Sequence, residues 1–468
     1  MNTKMKKVML CALSASMIVT AFSGCSKKGD DGRTADGKIL LKMEIPDKAA
    51  NEKGYNQAVE RYAQFEAENP DIKIEHMSFS FNVRDYAAKA AGNQLPAYYY
   101  VPLTEAKNCI EMGYAKDIKP WLDKYGYTPY LSDFILKNIE RDGGIYFYPT
   151  DVYEVGIIMN KKYAEKAGYV AADGTPHQPA TWEEFAEMAV KIQEANPGVK
   201  GFTMPTMNNC GGWRFLPIAW SYGVDFMEKI DGKWTATFNT QECVEALEFM
   251  KDLKWKYNII PDNFMLENAG SIKAFAAGEA AMAFSEPTSV DNYQKSGFNK
   301  DDVCMVQLPA GPKRHVTLLG GGYRVFNAKN TDEQTDAAFR YMMWNNEGVE
   351  IDDARKQRTE ENYQLKIEEG KIVGLIGLSP WKDEYPVRQY QLEMIEKYAN
   401  INMNQVKIYN DKTTGIEYQE EEPVECQALY GVLDGCIQEV WMNPNADCAA
   451  LIADAARNFQ ANYLDYAE

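Results

Sequence analysis

From residue 38 onward the apolar positions of this chain alternate between two rhythms. Residues 38–45 (KILLKMEI) form a short apolar run closed by Pro46-Asp47, which reads as a strand. Tyr55, Ala58, Val59, Tyr62 and Phe65 then recur at helical spacing, and Asn69-Pro70 ends the helix expected over residues 55–68. Residues 72–77 alternate as a strand, residues 83–91 read as a helix, and residues 97–101 as a further buried strand. Strand, helix, strand, helix, strand is the order of an α/β lobe with a largely parallel sheet.

A second αβ region follows Gly143-Gly144. Thr181-Trp-Glu-Glu184 has the spacing of a capping box, opening a helix whose apolar face is Phe185, Met188, Ala189 and Ile192. Asn239-Thr240 starts another, with Val244, Leu247, Met250 and Leu253 in register. Residues 274–284 (AFAAGEAAMAF) read as a helix turned by Gly278-Glu279 into a strand. Thr331-Asp-Glu-Gln334 is a second capping box, and two amphipathic helices around residues 429–440 and 446–463 close the chain.

The N-terminus follows a different pattern. Lys4, Lys6 and Lys7 precede an apolar run over residues 8–21, which is shorter than the about 20 residues a membrane-spanning helix needs. These are the proportions of a secretory signal peptide, residues 1–24. The run ends at Phe22-Ser23-Gly24-Cys25, which resembles a lipobox with Phe in place of the usual Leu. Cys25 is therefore the expected lipid attachment point, and two acyl chains suffice for stable anchoring. Residues 26–37 (SKKGDDGRTADG) hold no large apolar residue, so residues 25–37 read as a lipidated cysteine and flexible tether.

Size and charge narrow the picture. The 468-residue chain exceeds what one hydrophobic core usually supports, so two lobes are expected. The formal charge is −18, and losing Lys4, Lys6 and Lys7 with the leader takes it to −21. Nucleic acid and anionic lipid headgroups are thereby excluded as ligands, since both call for basic patches. Of nine cysteines, seven remain beyond Cys11 and Cys25, with no CxxC pair; they read mostly as small buried hydrophobes, with a disulfide between two of them left open.

Catalytic signatures are absent. The chain has three histidines, at 76, 177 and 315, and no HExxH, GxSxG, P-loop or GxGxxG. No spacing supports a metal site, and no cofactor is expected. The expectation is a binding protein rather than an enzyme; a secreted glycoside hydrolase stays open as an alternative, because its two carboxylates need not be close in sequence.

Four stretches, in order, carry a resemblance. Residues 111–122 (EMGYAKDIKPWL) include a Gly before a short turn, and residues 143–149 (GGIYFYP) lead to residues 157–162 (IIMNKK). Residues 179–184 (PATWEE) open a helix, and residues 275–282 (FAAGEAAM) precede residues 308–312 (LPAGP) and Gly320-Gly321-Gly322. Together, behind a lipoprotein signal, they resemble the extracellular solute-binding proteins of bacterial ABC importers, in the branch that includes maltose-binding protein. The resemblance implies a two-lobed, type II periplasmic-binding-protein-like α/β fold, with hinge crossovers near residues 150–155 and 321–326 and a ligand cleft between the lobes.

On that reading residues 38–150 start lobe 1, residues 151–322 start lobe 2, residues 323–400 return to lobe 1, and residues 401–468 pack as helices on lobe 2. Residues 350–425, with acidic Glu420-Glu-Glu422, match none of the family's common motifs. The expected partners are a sugar, the transmembrane subunits of a permease, and the membrane through the lipid anchor. The expected location is the outer face of the cell membrane, as a monomer. A peptide or polyamine ligand is the alternative within the same fold.

A sugar site needs flat aromatics for pyranose faces, with carboxylates, amides and Arg for hydroxyls. Asp151 and Tyr153 lie at the first apparent crossover, and Tyr323 at the second, where it is either a stacking ring or a core residue. Asn208, Trp213 and Arg214 belong to a polar, glycine-rich loop, whose glycines would let backbone approach a ligand. Glu286 follows the AAMAF strand, Asp47 follows the first strand, and Trp381 completes the candidates.

Overall fold

The structure is a computed structural model that describes residues 32–467. The leader, Cys25 and residues 26–31 lie outside the described residues. Residues 32–37 are held rather than free. Thr34 and Lys38 close a turn, Arg33 bonds Gly37 O at 2.6 Å, and its guanidinium pairs with Glu333 at 2.7 Å. Of the tether expected over residues 25–37, residues 32–37 are thus folded onto the body of the protein.

Two sheets organise the described residues. The first runs in the order Glu417–Glu420, Val316–Phe326, Tyr98–Pro102, Ile39–Ile45, Ile72–Ser78, and Phe147–Glu154 also pairs with Val316–Phe326. Ile39–Ile45 is parallel to both of its neighbours, as the strand–helix alternation predicts. The second sheet runs Val303–Gln307, Gly156–Asn160, Ala280–Ser285, Lys200–Thr203, and is mixed.

Local signals place the elements. The helix Glu52–Glu68 is capped by Asn51 and buries Tyr62 and Phe65, which share one face. Thr331 and Gln334 make the full reciprocal box on Asp332–Met342. On Trp182–Ala195 only half of the box forms. Thr181 Oγ1 accepts from Glu184 N, but the Glu184 carboxylate reaches one residue further back, to Ala180 N at 2.7 Å, and also meets His177. Gly278, at φ +82°, turns the helix Asn268–Ala276 into the strand Ala280–Ser285.

Each sheet carries its own core. Leu41, Tyr99, Ile135, Phe147, Val325 and Phe339 belong to the first; Ile157, Phe185, Phe202, Leu247, Leu433 and Phe459 belong to the second. A further cluster covers the second sheet with Ile158, Phe275 and Met305, and receives Ile401, Val406 and Tyr409. All seven cysteines beyond Cys25 are free thiols, five of them buried.

Three segments cross between the lobes. Phe147–Glu154 pairs in the first sheet, and the chain enters the second at Gly156. Val316–Phe326 leaves one core for the other between Leu318 and Leu319, slightly before the position expected from the sequence. Glu417–Glu420 lies parallel to Val316–Leu319 and supplies the third crossing, for which the sequence offered no recognised motif. Thr317 Oγ1 donates to Val155 O at 2.7 Å, tying the first two together, and Lys412 pairs with the buried carboxylate of Glu154.

Candidate ligand-binding cleft

The crossing strand Val316–Phe326 builds the floor of the site. Side chains alternate along a strand, so Gly320, Gly322 and Arg324 share one face while Leu319, Gly321, Tyr323 and Val325 share the other. The second set enters the core of lobe 1, apart from Gly321, which has no side chain. On the first face, missing side chains admit aromatic rings. A Cβ on Gly320 would lie 2.3 Å from the ring of Tyr153, and one on Gly322 would lie 2.2 Å from the ring of Tyr100. Two tyrosines are therefore laid against bare backbone at the crossing.

Carboxylates surround them. Tyr153 is half-buried, and burial, then the charges of Glu421, Glu286 and Asp151, push its hydroxyl pKa up. Tyr100 also feels Asp151 and Arg324. From lobe 2, Trp213 donates its indole N–H to Glu421 Oε1 at 2.9 Å, and the Tyr430 hydroxyl donates to the same oxygen at 2.6 Å. Burial pushes the Glu421 carboxyl upward, against these two hydrogen bonds.

Tyr100 also lines a cavity of about 770 Å³ at the carboxyl ends of the first three strands. Its aromatic walls include Tyr62, Phe79, Phe81 and Tyr98, and its polar groups include Glu44, Asp47, Arg61, Arg324, Asn345 and Glu347. The size falls in the range of about 300–1,000 Å³ typical of small-molecule sites, which are mostly apolar with a few placed polar groups. Arg324 Nη1 bonds Glu44 at 2.6 Å, and its guanidinium lies 5.1 Å and 5.9 Å from the ring centres of Tyr98 and Tyr100. Tyr98 donates to Glu347 at 3.2 Å, and burial pushes the carboxyls of both Glu44 and Glu347 up.

The residues singled out from the sequence divide. Asp151, Tyr153, Trp213 and Glu286 gather around the crossing, and Asp47 lines the cavity while capping its own turn through Ala50 N. Tyr323 is a correction. It is fully buried, faces Phe147 at 5.1 Å and donates to Glu420, because strand alternation turns it away from the cleft. Trp381 is another, packed in the lobe 1 core against Tyr385, Tyr148 and Tyr127.

Arg214 is buried and held by Cys210 O and Asn268, so it braces its helix rather than reaching into the cleft. Exposed Asn208 bonds Glu267 at 2.8 Å. The neighbouring glycines also have a packing role. A Cβ on Gly212 would sit 2.2 Å from Tyr430 O, so Gly212 lets the helix Cys210–Tyr222 close onto Cys426–Met442. Asp434 then caps it, accepting from Asn209 N and Gly212 N at 2.8 and 2.6 Å. Sequence reading missed Tyr100, Glu44, Arg324, Glu347 and Glu421. Period-two alternation from Gly320 through Arg324 was the signal available for Arg324.

Two α/β lobes joined by three crossing segments, with aromatic and acidic side chains gathered at the crossing, define a two-lobed solute-capturing fold. Comparison with known proteins makes this specific. The sequence pattern of the bacterial extracellular solute-binding proteins matches residues 60–349, and the chain belongs to that family. Family and fold are those of binding proteins, and the family is extracytoplasmic.

The chain is 22% identical over 277 residues to the polygalacturonan/rhamnogalacturonan-binding protein YtcQ of Bacillus subtilis, matching 55% of this chain and 53% of that protein. It thus spans about half the length of that relative. In structure it is similar to the sugar-binding protein MalE of Xanthomonas citri, with a TM-score of 0.63 at 14% identity over 90% of this chain and 96% of that one. Maltose-bound MalE3 of T. maritima gives a TM-score of 0.58 at 18% identity, over 91% and 99%. These two likenesses are of fold. Among the described residues no cluster of side chains suits a metal ion, and no helix is long and apolar enough to cross a membrane.

Proposed function

We propose that this protein captures a carbohydrate between its lobes and delivers it to the membrane subunits of an ABC importer, held at the outer face of the membrane by lipid on Cys25. One observation carries the sugar reading: Tyr100 and Tyr153 lie close against the glycines of the crossing strand, with Trp213 and carboxylates beside them. Flat rings receive the C–H faces of pyranoses, and carboxylates accept from their hydroxyls. The sugar- and glycan-binding descriptions of the similar proteins point the same way. Ligand would shift an open–closed equilibrium by its preference for the closed state.

Thermal-shift screening against glycans, peptides and polyamines tests the reading. The carboxylates would also suit a polyamine, so stabilisation by spermidine alone would overturn it, as would turnover of a glycan. Trp213→Ala is expected to weaken glycan binding about 30-fold or more, the scale of a buried aromatic anchor, while the unliganded melt stays cooperative. Unchanged affinity would remove Trp213 from the site. Cys25→Ser is expected to release the protein from the membrane fraction; continued retention would refute the lipid anchor.

A further inference from the structure

The charges around the cleft are one-sided, and this bears on which sugars it accepts. Asp151, Glu286 and Glu421 lie within electrostatic reach of Tyr153. Glu44, Asp47 and Glu347 line the adjoining cavity, whose two cations are Arg61 and Arg324.

The more buried of the two guanidiniums is already paired with an acid of the cavity. Arg324 is bonded to Glu44, lies against Tyr98 and Tyr100, and is further attracted by Glu347. Arg61 is exposed and meets the neutral Tyr341 hydroxyl, so it offsets one of the three cavity acids and leaves the lining acidic overall. On the Trp213 side, Arg214 is buried, donates to Cys210 O and Asn268 and lies within reach of the Asp434 carboxylate. An arriving carboxylate or phosphate would meet a negative field in a cleft with low-dielectric walls, where such fields are strongest.

We propose that the site takes sugars whose recognised units are uncharged or carry an ammonium group, and discriminates against uronic acids and sugar phosphates. This rests on the carbohydrate reading above and goes beyond it. It also separates this chain from its Bacillus relative, whose name includes polygalacturonan, a polymer of uronic acid.

The experiment uses the mature protein and calorimetric titration with three sets of probes. These are neutral gluco-, manno-, galacto- and xylo-oligosaccharides, chitosan oligosaccharides, and oligogalacturonates. A neutral or amino oligosaccharide should bind best, with oligogalacturonates at least tenfold weaker. Whatever oligogalacturonate binding remains should tighten as salt rises, because screening relieves repulsion. Asp151→Asn with Glu286→Gln should narrow the gap between neutral and acidic probes. An oligogalacturonate that binds as tightly as any neutral probe, or that weakens with salt, overturns this inference and leaves the sugar reading standing. Failure of every glycan to bind overturns the sugar reading, and this inference with it.

Discussion

Gly321→Ala is expected to lower the melting temperature by about 4–24 °C, whereas Gly320→Ala should melt nearly as the parent does and lose ligand instead. Gly321 has φ +140°, and its added Cβ would fall 2.1 Å from the carbonyl oxygen of Asp151. That neighbour is backbone of the first crossing strand, paired with Gly321 through Val152, so relief requires parting two of the three crossing segments. Backbone strain of about 1–3 kcal/mol adds to overpacking of about 1–3 kcal/mol. At roughly 2–4 °C per kcal/mol for a large domain, the sum gives the stated drop. At Gly320 the colliding atoms belong to the Tyr153 ring, and the backbone does not need the left-handed region. The ring can swing aside, which preserves the fold and removes a wall of the cleft. Gly168→Ala is the control, with φ +83° and nothing within 4 Å, so only the strain term remains. Differential scanning calorimetry with and without glycan reads both effects. Equal melting of the Gly321 and Gly168 variants would refute the close approach at the crossing.

The same strand shows how much of the site was legible. The run Gly320-Gly321-Gly322 marked the second crossing, and alternation along it separates Arg324 on the cleft face from Tyr323 in the core. Selecting Tyr323 gave residue type precedence over strand parity. The loop around Gly211-Gly212 failed for another reason. Its glycines serve contact between two helices more than 200 residues apart in sequence, and no local pattern announces such a contact. Trp381 is similar, since its partners Tyr127 and Tyr148 lie far upstream. By contrast the strand–helix alternation of residues 38–101 rests on local periodicity, and the elements appear close to where that periodicity puts them. The third crossing was hidden because Glu420-Glu-Glu422 reads as a solvated acidic run.

Glu422 is instead buried and Glu420 and Glu421 half-buried, and the second large effect follows from them. Stability is expected to fall as pH rises from about 4.5 to 7, and Glu420→Gln or Glu422→Gln should flatten that fall. Glu420 accepts from Tyr323 at 3.0 Å and Glu422 from Trp220 at 3.2 Å, both neutral donors. The other polar groups against them are Asn138 and Glu421 for the first and Asp225 for the second. No cation compensates the burial, which pushes each carboxyl up to about 7 from an ordinary 4.5. A raised carboxyl pKa stabilises the folded state in full below the unfolded value, and that contribution is lost as pH rises through the folded one. A shift of that size is worth on the order of 3 kcal/mol for each group, and less for the two together because Glu421 couples to Glu420. Glutamine keeps the accepting oxygen and removes the charge, so the variants should match the parent near pH 4.5 and melt several degrees higher at pH 8. Slopes of melting temperature against pH are the measurement, and a variant slope equal to the parent's would show that these carboxyls titrate elsewhere. Glu420 binds the lobe 1 core and Glu422 the lobe 2 core, with Glu421 between them holding Trp213. Protonation of this one segment therefore acts on both lobes at the point about which they would move.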